Sequence, residues 1–151
     1  MNSKTFDEKQ KKMIELFSAC KSDDEKYQLI IQLGKKLPKL SDELKKNEYK
    51  VKGCQSTVYL YSFIENKKMH FCAESDSLMS AGLAALLINV YDNETPEVVL
   101  KNPPKYIDDL GLAANLTPNR ANGLYSIHLK MKQDALDFYI LSNQEIKENI
   151  A

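Results

Sequence analysis

Apolar side chains at the start of the chain recur at helical spacing. Phe6, Met13, Ile14 and Phe17 fall on one stripe, and Tyr27, Ile30, Ile31 and Gly34 follow the i, i+3, i+4, i+7 rule. Each stripe follows a capping box, Thr5-Phe6-Asp7-Glu8 and Ser22-Asp23-Asp24-Glu25. Pro38 ends the second helix, because its ring and missing N–H interrupt the ladder. The period then drops to two. Over Thr57–Ile64, Val58, Leu60, Ser62 and Ile64 share one face, while Tyr59, Tyr61 and Phe63 share the other. Glu65–Lys68 reads as a hairpin turn, Met69–Ala73 as the returning strand, and Tyr49–Val51 as a third strand.

Downstream, Asp76 is the expected N-cap of a helix over Ser77–Tyr91. This segment is apolar nearly all round, and Ala81, Ala84 and Ala85 permit close approach, so it should be the buried central element. Thr95-Pro96-Glu97 and Thr117-Pro118 both place a hydroxyl before a proline, the usual opening of a helix. The second should begin a long final helix over Asn119–Tyr139, followed by a polar tail, Ser142–Ala151, that frays. The pattern predicts a single α+β domain over residues 1–151, with a three-stranded antiparallel sheet packed with helices.

Composition narrows the function classes. The 151 residues carry 21 basic and 21 acidic side chains, so bulk charge favours neither nucleic acid nor a membrane surface as partner. The uncharged run Ser77–Tyr91 falls short of the roughly 20 residues that a membrane-spanning helix needs, and the polar start has no signal-peptide core. Three cysteines, with no C-x-x-C pair, fit neither a disulfide scaffold nor a zinc ribbon. A reducing, cytoplasmic setting is the expectation.

Cys54 lies in Lys52-Gly53-Cys54-Gln55-Ser56, between two extended pieces. Gly53 permits positive φ, which places the thiol on a tight loop, and Lys50 and Lys52 should favour the thiolate. A small buried hydrophobe that happens to be cysteine is the competing reading. Cys20, at the end of the first helix, reads as structural. His70 and Cys72 share a strand face, but no third or fourth ligand accompanies them, so no metal site is expected. His128 reads as a packed or solvated imidazole in the last helix. Arg120 is the lone arginine among the 21 basic residues, in a helix first turn where the macrodipole disfavours a cation. A guanidinium retained there points to planar pairing with a carboxylate or phosphate. Asp108 or Asp109 within the chain, and a group on a partner, are both open as its mate.

These residues resemble the SufE family of sulfur-acceptor proteins, which includes CsdE-type relatives. The resemblance runs from about Lys26 to Lys130 and is carried by KYQLIIQLGKKLP (Lys26–Pro38), KGCQSTVYL (Lys52–Leu60), ESDSLMSAGLAALL (Glu74–Leu87) and LGLAANLTPNRANGL (Leu110–Leu124). Tyr59 stands where tryptophan is usual, and Met79-Ser80-Ala81 where Ile-Val-Lys is typical. The resemblance implies that Cys54 accepts sulfane sulfur, as a persulfide, from a cysteine desulfurase of the SufS/CsdA type. The protein would stimulate that enzyme and pass the sulfur to an iron–sulfur scaffold of the SufBCD type. Pyridoxal phosphate (PLP) would belong to the desulfurase, with no cofactor on this chain. Gly53, Gln55, Ser56 and Arg120 would support the loop or bind the partner. A homodimer is left open. The alternatives are a stand-alone cysteine enzyme, a thiol hydrolase or peroxidase with Cys54 activated by His70 or His128, and a binding module whose cysteine is incidental.

Overall fold

The computed structural model describes residues 5–150, with side chains as far as residue 147. The polar opening at 1–4 and the final residue of the tail lie outside the described residues. Helix α1 (Phe6–Ser18) begins at the expected capping box, where the Thr5 hydroxyl accepts from the Glu8 amide and the Glu8 carboxylate accepts from the Thr5 amide. Helix α2 (Asp23–Lys35) is capped by Ser22. Strands β1 (Val58–Glu65) and β2 (Lys68–Ser75) form an antiparallel hairpin, turned by Asn66 and Lys67 at positive φ. Helices α3 (Leu78–Tyr91), α4 (Pro96–Lys101) and α5 (Pro118–Ile150) complete the chain.

The α+β class holds, but the sheet has two strands instead of three. The expected third strand contributes one bridge, Lys50 to Tyr59, with the Val51 amide donating to the Val58 carbonyl at 2.8 Å. Tyr49 is already in a 3-10 turn (Asn47–Tyr49), and the chain turns away at Gly53, so the ladder has no length in which to extend. A two-stranded hairpin is marginal by itself. Here its inner face, Val58, Leu60, Met69, Phe71 and Ala73, is buried in the core, and its outer edge is covered by the turn after α3. There the Asp92 carboxylate accepts from the Phe71 amide at 2.9 Å, and Met69 exchanges backbone bonds with Asn93 and Glu94.

Two end-points differ from the pattern. Ser77, not Asp76, caps α3, accepting from the Ser80 amide at 3.2 Å. Asp76 is used instead to accept from the Thr57 amide at 3.1 Å. The segment from Ser142 onward does not fray but continues α5 to Ile150. No Gly or Pro follows Gly123 to stop the helix, and Gln, Glu and Lys sustain it while solvated.

Helix α3 is the central element, as its pattern predicts. Ala84 and Leu87 are both fully buried, with Leu83, Leu86, Val90 and Tyr91 beside them. Its crossing with α2 brings the two backbones into contact. A Cβ on Gly82 would lie 2.4 Å from the Ile30 carbonyl oxygen, and one on Gly34 would lie 2.5 Å from the Gly82 nitrogen. Gly82→Ala therefore forces α2 off α3 and should cost about 3 kcal/mol, the upper part of the overpacking range, read as a lowered urea midpoint.

His128 on α5 is buried beside the Tyr91 ring, and its Nε2 has no hydrogen-bond partner. Burial, reinforced by the charge of Lys132, lowers its pKa from 6.5 to about 4. The unfolded chain protonates this histidine first as pH falls, so stability is lost between pH 6.5 and about 4. From pH 7 to pH 5 the loss through this group should be about 2 kcal/mol. Urea titrations should find that increment missing in His128→Phe.

Candidate functional site

The loop between Val51 and Val58 carries the cysteine. Its base is pinned by the Val51–Val58 bond, by Asp76 on the Thr57 amide, and by the Ser75 hydroxyl donating to the Thr57 carbonyl at 2.7 Å. From Lys52 to Ser56 no backbone group hydrogen-bonds to a helix or strand among the described residues. Gly53 has φ +93°, a conformation that favours glycine, and a Cβ there would sit 2.7 Å from the Ser126 hydroxyl, which would have to turn aside.

Cys54 is half-buried, turned toward α5, with its thiol 3.8 Å from the Gly123 carbonyl oxygen. A cavity of about 310 Å³ opens beside it, lined by Gln55 and Ser56 of the loop, Ser77 and Ser80 of α3, and Thr117, Arg120 and Gly123 at the start of α5. The Ser56 and Ser80 hydroxyls are hydrogen-bonded at 2.6 Å. Cys54, Gln55, Ser56 and Arg120 thus converge on one cavity, brought there with α3 by separated segments of the chain.

The electrostatics differ from the expectation. Lys50 and Lys52 line a separate polar cavity, with Glu48, Asp134 and Asp137, and do not acidify the thiol. Burial pushes the Cys54 thiol above its ordinary value, so the resting loop holds it protonated.

Arg120 also stands differently from one of its two open readings. Asp108 and Asp109 are both exposed, and neither pairs with it. One guanidinium nitrogen donates to the Asn115 carbonyl at 3.0 Å, and the group lies over the Tyr27 ring, 5.6 Å from its centroid. Buried Asn115 is held in turn by donating to the Asp23 carbonyl at 3.3 Å. Arg120 is therefore oriented without a carboxylate, at the wall of the Cys54 cavity, with guanidinium donors left over. Tyr27 and Asn115 were missed as site residues. The first looked like part of a core stripe, and a buried Asn in a loop leaves no periodic signal.

Neither histidine lines this cavity. His70 and Cys72 share a face as their spacing predicts, on a different cavity of about 530 Å³. The His70 ring stacks on Phe63, with Nδ1 3.4 Å from an Asp92 carboxylate oxygen. Among the described residues no three His, Cys, Asp or Glu side chains are grouped to hold a metal ion. Cys20 is half-buried at the end of α1. No helix among the described residues is long and apolar enough to cross a membrane.

Comparison with known proteins is decisive about kinship. Residues 11–135 match the SufE family model, described as an Fe-S metabolism associated domain. The chain belongs to the SufE family. It is similar to the sulfur acceptor protein CsdE of Escherichia coli, 39% identical over 106 residues, which are 69% of this chain and 72% of that one. It is also similar to the cysteine desulfuration protein SufE of Wigglesworthia glossinidia brevipalpis, 36% identical over 124 residues, 81% of this chain and 86% of the relative. In fold it resembles the solution structure of a hypothetical protein from Thermus thermophilus, with TM-score 0.73 and 23% identity over 87% of this chain and 96% of that one.

Proposed function

We propose that this SufE-family protein accepts sulfane sulfur on Cys54 from a PLP-dependent cysteine desulfurase, stimulates that enzyme, and delivers the sulfur to an iron–sulfur cluster scaffold. One observation carries the reading. Cys54 sits on a loop with fixed ends and a middle that makes no backbone hydrogen bond to a helix or strand, so the thiol can reach a partner's sulfur and return to a sheltered cavity. The names of the relatives support the same chemistry. The thiolate of Cys54 attacks the outer sulfur of a donor persulfide. A new S–S bond forms, the donor's S–S bond breaks, and the donor leaves as thiolate, with no net redox change. PLP chemistry belongs to the desulfurase. No residue of this chain is assigned to hold a cofactor.

The protonated resting thiol suits a carrier more than a stand-alone enzyme. A thiol hydrolase or peroxidase needs a base within hydrogen-bond reach of its cysteine, and both histidines lie elsewhere. Arg120, oriented but without an acidic partner, is assigned to a carboxylate on the desulfurase. Gly53, Gln55 and Ser56 shape the loop. The balanced charge and the three free cysteines favour a reducing cytoplasm as the working compartment.

After incubation with a cysteine desulfurase and free cysteine, the intact mass should rise by one sulfur atom, and thiol reductant should reverse it. Cys54→Ser should abolish the adduct and the stimulated sulfide release; an adduct retained in that variant would refute the assignment. Arg120→Lys keeps the charge but loses the fork. It should keep its melting temperature within a few degrees while desulfurase stimulation falls about tenfold, and full stimulation would remove Arg120 from the interface.

A further inference from the structure

We infer that Ser80 is a positioning residue for Cys54: through Ser56 its hydroxyl holds the thiol loop closed against the α3–α5 junction. The loop's ends are anchored by backbone and by Asp76, but Lys52–Ser56 has no backbone tie to a helix or strand. Two side-chain contacts hold this stretch down. One is the Cys54 thiol on the Gly123 carbonyl at 3.8 Å, and S–H is a weak donor. The other is the Ser56–Ser80 hydroxyl pair at 2.6 Å, partly shielded from water. The stronger contact is the serine pair.

The two contacts respond differently to chemistry. Once Cys54 is a thiolate or carries a second sulfur, its Sγ has no proton to donate to Gly123. The serine pair is unaffected, so it is the hydrogen bond that still ties the loaded loop to α3. Ser80 is itself fixed in the first turn of α3, where its amide is taken by Ser77. Its hydroxyl stands on a largely apolar helix with the loop as its hydrogen-bond partner. The position of Ser80 is set by the packing of α3, so the latch acts from the core of the protein on its cysteine loop.

The biological meaning of this latch rests on Cys54 being the sulfur-accepting thiol, but its test needs no desulfurase. Failure of persulfide formation and failure of the latch are therefore separate results. Iodoacetamide is reacted with the full chain across pH, and labelling at each cysteine is followed by peptide mass. Ser80→Ala should speed Cys54 alkylation about fivefold, the population shift expected for one hydrogen bond. The midpoint of its pH profile should fall toward that of an ordinary thiol, because an open loop removes the burial that raises it. Cys20 and Cys72, both half-buried, should keep their rates. Ser56→Ala should reproduce the effect, and Ser56→Ala with Ser80→Ala should add nothing further. An unchanged Cys54 rate, equal acceleration at all three cysteines, or additive effects in the double variant would each overturn the inference. Alanine favours a helical first turn, so the Ser80 variant keeps its helix.

Discussion

The contact between α2 and α3 at Gly34 and Gly82 is the constraint from which the site follows. Two helix backbones that touch, with the Ile30 carbonyl where a Gly82 Cβ would be, leave α3 no freedom to slide or rotate. An apolar helix buried on most of its surface, with Asn89 as its exposed polar residue, has little polar face of its own to set its orientation. The glycine contact supplies that orientation. With α3 fixed, its first turn presents Ser77 and Ser80 to the cysteine loop, and the turn after it covers the edge of β2 with Asp92. Both ends of the hairpin are thus tied to one rigid rod.

Helix α5 provides the opposing wall. Its first turns place the Gly123 carbonyl against the thiol and Ser126 against Gly53, so the loop packs directly on α5. Arg120 is held from behind by Asn115 and Tyr27, so α2 contributes to the site at one remove. The guanidinium stays oriented without being neutralised, as the proposed pairing with a desulfurase carboxylate requires.

Burial outweighs charge at the thiol. Flanking lysines on a short loop project away from it into another cavity, while the cysteine turns inward. A carrier benefits from this arrangement. A permanently ionised thiol would react with any oxidant, whereas a protonated one becomes nucleophilic when the loop moves out. The two histidines confirm the division of labour by position. His70 serves the edge of the sheet beside Asp92, and His128 packs against Tyr91 with its Nε2 unpartnered.

Local grammar alone determined the α+β class, most helix starts, the buried status of α3 and the loop position of Cys54. These depend on periodicity, caps and glycine, which act over a few residues. The Lys52–Leu60 and Leu110–Leu124 segments made Cys54 and Arg120 legible as candidates. Their meeting in one cavity was not legible, because it requires α3 and α5 to converge on a loop far away in sequence. Tertiary structure also decided the missing third strand, where the turn at Gly53 stopped a ladder that residue preference favoured. It chose Ser77 over Asp76 as the cap, since Asp76 was taken by Thr57. It set the direction of the thiol's pKa, because burial is a property of the packed protein and the neighbouring lysines are only neighbours in sequence. It converted Ser80, a departure from the pattern the chain resembles, into the loop's firmest contact, for a hydroxyl acquires a role only when another comes within hydrogen-bond reach.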